Sequence, residues 1–177
     1  MKTRFGYLLV ATLLLLLAGC ASVATQPSTT GTPAGEQKPG EGAIIAPVPK
    51  SSMSDNKAVI ALLDQAQTDN TSGQREAAGA SLERALRIEP RNPWLWLELA
   101  QVRLDQGQYA QAITLARKSN SFAGHQSRVQ AENWQVIGKA RVAQGDSAGA
   151  EQAFKLSADL AQQAKAEADR NSGFNLQ

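Results

Sequence analysis

The chain has 177 residues, with 18 Lys or Arg against 16 Asp or Glu, one His and one Cys. A single cysteine excludes an internal disulfide, and with one histidine it also lacks the companions that a zinc site or a Cys–His catalytic pair needs. The positive charges are dispersed among acids and form no stripe, so nucleic-acid binding and a polybasic membrane patch lose their electrostatic basis.

The chain opens MKTRFGYLLVATLLLLLAGC, with Lys2 and Arg4 ahead of an apolar run from about Tyr7 to Ala18. This is the layout of a secretory signal peptide. The run falls short of the roughly 20 apolar residues that a transmembrane helix needs, and no second run follows. Leu17, Ala18, Gly19 and Cys20 resemble the lipobox of bacterial lipoproteins. That resemblance implies cleavage after residue 19 and acyl chains on Cys20. Ala21 stands where an aspartate would imply retention in the inner membrane, so the expected anchor is the outer membrane, facing the periplasm. With Lys2 and Arg4 removed, basic and acidic residues balance at 16 each.

Residues 21–56 carry five of the seven prolines and few large apolar side chains. Such a segment cannot offset its ordering entropy, and it reads as a disordered tether. As a coil it spans roughly 35 Å, and as polyproline II about 110 Å. The apolar patch AIIAPVP, residues 43–49, reads as linker too. Its alternative is a docking motif for another protein or for the domain's own surface.

From Lys57 the composition turns to Ala, Leu, Gln, Glu and Arg, which is helical material. Leu62 and Trp96, Ala66 and Ala100, Gly73 and Gly107, and Ala78 and Ala112 are each 34 residues apart. A small residue late in one helix, a glycine turn and an alanine early in the next, at that period, resemble the tetratricopeptide repeat. The unit PWLWLELAQVRLDQGQYAQAITLARKSN supplies Trp96, Leu99, Ala100, Gly107 and Ala112. The next supplies Trp134, Ile137, Gly138, Gly145, Ala150 and Phe154, displaced by 38, which predicts four residues added to the loop around SFAGHQSR. The first unit has Ala78, Leu82, Ala85 and Pro90 in place, but Gln65 where a leucine is expected.

The expected fold is therefore all-α: a right-handed stack of about three repeats, six helices, over residues 57–170. Ser147 to Asp169 reads as an extended last helix whose Leu160, Ala161, Ala164 and Ala168 cover the stack's end. Asn171, Ser172 and Gly173 are expected to stop it, leaving 171–177 as a frayed tail.

Catalytic chemistry finds no support here. His125 falls in a loop, and pairs such as Glu83 with Arg87 and Glu151 with Lys155 fit surface i, i+4 bridges. No phosphate loop follows a strand, and no cofactor, metal or small-molecule substrate is implied. The repeat resemblance implies instead a concave protein-binding face on the first helix of each unit. There it places Ile60, Leu63, Gln67 and Asn70, then Trp94, Leu97, Gln101 and Leu104, then Glu132, Gln135, Lys139 and Val142. The expected contact set is Trp94, Leu97, Gln101, Gln135 and Lys139, with Trp94 a free-standing anchor because Trp96 already serves the core. The alternative is that Trp94, Leu97 and Leu104 pack the first units together or lie beneath a terminal segment.

Lipobox, Pro-rich tether and a three-unit repeat domain together resemble the LpoP-type outer-membrane lipoproteins, over Cys20 to about Asp169. The resemblance implies a non-enzymatic protein that activates a bifunctional penicillin-binding protein across the periplasm. A pilotin-like lipoprotein and a general envelope scaffold are the alternatives.

Overall fold

A computed structural model describes residues 52–174, which form six helices: α1 (Lys57–Thr71), α2 (Arg75–Ile88), α3 (Pro93–Asp105), α4 (Tyr109–Ala123), α5 (Ser127–Ala143) and α6 (Ser147–Phe174). The expected signal peptide, Cys20, most of the tether and residues 43–49 lie outside the described residues.

Local chemistry sets the helix ends. Asn56 and Asn92 cap α1 and α3, each side-chain oxygen accepting 2.9 Å from the amides of Ala58 and Trp94, and Pro93 takes the first position of α3, where no amide is needed. Asp146 accepts from the Gly149 amide at 2.9 Å at the start of α6. The three first helices end alike. Gly73, Gly107 and Gly145 all have φ between +74° and +80°, where a side chain would strain the backbone. The following amides, of Gln74, Gln108 and Asp146, return to the carbonyls of Asp69, Arg103 and Arg141 at 2.8 to 2.9 Å. This is the closure that a left-handed glycine makes at a helix C-terminus, used three times.

Packing follows from the small residues. Ala66, Ala100, Ala78, Ala112 and Ala150 are all buried, which lets α1 approach α2, α3 approach α4, and α5 approach α6. In the last pair Gly138 does the work of Ala66 and Ala100: a methyl there would sit 2.5 Å from the Phe154 ring. Two apolar clusters form the core. One gathers Val59, Leu63, Leu82, Leu95 and Leu99 from α1, α2 and α3, and the other Trp94, Leu97, Ala116, Val129 and Ile137 from α3, α4 and α5. Helix α3 feeds both, which explains why PWLWLELAQV is apolar nearly all round.

Three expectations about boundaries change. The four residues between the second and third repeats do not lengthen a loop. They add a turn to the start of α5, which has 17 residues against 13 in α3, and only residues 124–126 separate α4 from α5. Four residues are close to one helical turn, and the added turn buries Val129 completely. Its Ser127 hydroxyl donates to Glu167 of α6 at 2.9 Å, so the longer α5 is matched by the longer α6. Secondly, α6 does not stop at Asn171 but runs to Phe174. Each of Asn171, Ser172 and Gly173 costs at most about 1 kcal/mol in a helix, too little by itself to end one. Thirdly, the tether ends before residue 56. Met53 packs against both clusters, its carbonyl accepts from Asn92 Nδ2 at 2.8 Å, and the buried Ser54 donates to Glu89 at 2.7 Å.

Candidate functional site

The binding face implied by the repeat resemblance lies on α1, α3 and α5, and α3 packs directly beside α5. Trp94, expected to stand free, is only 8% exposed, and Leu97 is fully buried. Both belong to the second core cluster, and Met53 packs on that same cluster. Asn92 and Glu89 hold residues 53–56 by the start of α3, which adds Met53 to the residues of α4 and α5 that pack there. Trp94 is therefore part of the core, and it cannot serve as an exposed anchor. Trp96, expected as the core tryptophan, is the more open of the two: it is half-buried, with its indole N–H donating to the Pro90 carbonyl at 2.9 Å.

The remaining predicted residues are accessible. Gln101 and Gln135 are half-buried and Lys139 is exposed. Gln101 and Lys139 occupy equivalent positions of successive repeats, so the two neighbouring helices present them on one polar face. An apolar residue on that face is Val142, 58% exposed. Sequence reasoning placed Val142 on the face but did not single it out. Its counterpart Leu104 is half-buried because another repeat follows it, whereas α5 is the last inner helix among the described residues.

Glu132 stands at the repeat position equivalent to Trp94. Burial pushes its carboxyl above the usual 4.5, opposed by a 3.3 Å hydrogen bond and ion pair from Arg128. The folded state therefore holds this proton more tightly than the unfolded chain, and the group's contribution to stability falls as pH rises through the window above 4.5. Glu132→Gln should stabilise the domain at pH 7 and lose that advantage at pH 4. Denaturant melts of both proteins at the two pH values check this, and an equal gain at both would assign the effect to something other than the proton.

Elsewhere, Glu83 does not bridge Arg87. It pairs at 2.7 Å with Arg103 of the next repeat, whose guanidinium also donates to Gln106 at 2.8 Å and rests where Gly79 lacks a side chain. An open groove lies on this outer side, lined by Glu83, Leu99, Arg103, Gln111, Thr114 and Leu115. His125 is exposed in the turn after α4, as the sequence implied. Among the described residues no three His, Cys, Asp or Glu side chains gather to hold a metal, and no helix is long and apolar enough to cross a membrane.

Three helix hairpins with small residues at their crossings and a left-handed glycine in each turn define a tetratricopeptide-repeat stack. The tetratricopeptide repeat family matches residues 69–131. Among solved structures, the globular C-terminal domain of P. aeruginosa LpoP is 47% identical, with a TM-score of 0.57, covering 58% of this chain and 96% of that one. The N-terminal domain of stress-induced protein-1 (STI-1) from C. elegans is 20% identical, with a TM-score of 0.52, covering 62% of this chain and 96% of its own, and shares the fold. No curated protein matches the chain. The chain belongs to the LpoP-like tetratricopeptide-repeat proteins.

Proposed function

We propose that this is a non-catalytic lipoprotein, anchored in the outer membrane through Cys20, whose repeat domain binds a bifunctional penicillin-binding protein in the periplasm and raises its activity. The observation that carries the reading is the 47% identity with the LpoP domain over nearly its whole length. The lipobox-like LAGC ahead of a Pro-rich segment supports the anchor. The polar face of Gln101, Gln135 and Lys139, with Val142 beside it, is the contact surface on this reading; Trp94 and Leu97 support it from within.

Residues 52–177 contain both core clusters, and the matching LpoP domain was solved by itself, so they suit solution work. Titrating them into the purified synthase of the same bacterium should give saturable binding. Lys139→Glu combined with Gln101→Ala should weaken it about tenfold without changing the melting temperature. Unchanged affinity would move the contact to another face.

Lipidation is checked separately. Mass spectrometry of the membrane-extracted protein should find acyl mass on a peptide beginning at Cys20, and Cys20→Ala should no longer fractionate with outer membranes. Retention of the variant in that fraction would remove the anchor from the account.

A further inference from the structure

The inner face of the stack is only part-covered at its far end, and the chain ahead of α1 begins beside it. Along α3 and α5 this face runs from Trp94 and Glu132, through Gln101 and Gln135, to Leu104 and Val142. Val142 is 58% exposed, and Leu104 is half-buried against the second core cluster. The two are 38 residues apart, so they hold equivalent positions in successive repeats. Gln101 and Gln135 are uncharged and half-buried, and among the described residues neither side-chain amide has a hydrogen-bond partner. Each offers donors and an acceptor, which suit an extended chain because its peptide groups, unlike a helix's, are left to be paired.

Met53 packs against the same cluster as Leu104, and Asn92 holds its carbonyl at 2.8 Å by the start of α3. Four residues before Met53 ends AIIAPVP, residues 43–49, an uncharged apolar stretch that lies outside the described residues. At about 3.1 Å per residue, Pro49 is within roughly 12 Å of Met53 and Ala43 within roughly 31 Å. Leu104 is roughly 17 Å along α3 from its start, and α5 is roughly 10 Å to the side, so the face is within reach of this stretch. Pro47 and Pro49 restrict the residues ahead of them to extended backbone, which lowers the entropy lost on docking. A second copy of the chain fits the face less well. A stable dimer buries roughly 800 Å² on each partner, whereas the exposed large apolar side chain here is Val142, with Leu104 half-buried beside it.

We propose that residues 43–49 dock in extended form along α3 and α5, with apolar side chains from Ile44, Ile45 and Val48 covering Leu104 and Val142 and with peptide groups bonded to Gln101 and Gln135. The contact belongs to the chain itself and stands whether or not a synthase is the partner. Resting on the function proposed above, its consequence is competition: the docked segment occupies the synthase's surface and is displaced on binding. Only residues 50–52 join the segment to Met53, so its effective concentration is on the order of 1 mM. A contact with a Kd of about 0.1 mM as a free peptide then forms in about nine-tenths of the chains.

The test uses isotopically labelled residues 21–177, which hold no cysteine and so carry no lipid. Compared with residues 52–177, their amide shifts should differ at Gln101, Leu104, Gln135 and Val142 as well as beside the cut. Ile44→Asp combined with Ile45→Asp, at unchanged chain length, should return those four to their positions in the shorter chain. A nitroxide carried by the Ala43→Cys variant should at least halve the amide intensities from Gln135 to Val142 and leave α2 unaffected. A peptide of residues 40–52 added to residues 52–177 should move the same amides, and its doubly substituted form should bind at least tenfold more weakly. Shifts confined to the cut, shifts centred on α2 and α4, or shifts that survive the double substitution would each overturn the proposal. Shifts that fade on tenfold dilution would overturn it too, assigning the contact to a second copy. None of these readouts involves the synthase, so they decide the docking even if that partner is wrong.

Discussion

Replacing Trp94 with alanine should cost about 3–5 kcal/mol of stability, the range for removing a large aromatic side chain from a packed core. The indole is 8% exposed and packs with the cluster that joins α3, α4 and α5, with Met53 against it. A domain of this size has only about 5–15 kcal/mol in total, so the variant should melt more than 10 °C lower. Trp96→Ala should cost less, because Trp96 is half-buried and its indole N–H bond to Pro90 lies at the exposed surface. Thermal melts of both variants check the order. If Trp96→Ala were the more damaging, Trp94 would not be the core tryptophan.

The second large effect belongs to Gly138. A Cβ at this position meets three atoms of the Phe154 ring, at 2.5, 2.7 and 2.9 Å, and real contacts are essentially never that short. Gly138→Leu should therefore force the ring outward or part α5 from α6, at a net cost of up to about 2 kcal/mol. Overpacking of this kind typically costs 1–3 kcal/mol, and the helix-propensity gain over glycine returns only about 1. Phe154 is 38% exposed, so it has room to yield. Adding Phe154→Ala should restore at least half of the lost stability, since the leucine then fills the vacated volume. A double variant no better than the single one would mean that the helix crossing, not the ring, sets the limit.

The repeat was legible in the sequence because its signals are local and steric. A glycine that must adopt positive φ and a small residue where two helices cross admit few substitutes, and Gly73, Gly107 and Gly145 recur where the period puts them. The site was less legible because exposure depends on what lies on top. Trp94 is buried by residues of α4 and α5 far along the chain, and Asn92 draws Met53, 39 residues away in a stretch that reads as linker, onto the same cluster. The extra turn of α5 was hidden in the same way: four added residues look like loop until Val129 is buried and Ser127 meets Glu167. Val142 is exposed because, among the described residues, no repeat follows α5 to cover it, a matter of position in the stack and not of residue type.

On the function proposed above, the domain changes what a peptidoglycan synthase does, beyond attaching to it. The direct measurement is the glycan polymerisation rate of the purified bifunctional penicillin-binding protein of the same bacterium, with and without a saturating amount of residues 52–177. The expected result is a several-fold rise that Lys139→Glu with Gln101→Ala reduces in step with binding. Saturable binding with no change in polymerisation or crosslinking rate would contradict it and leave a scaffold.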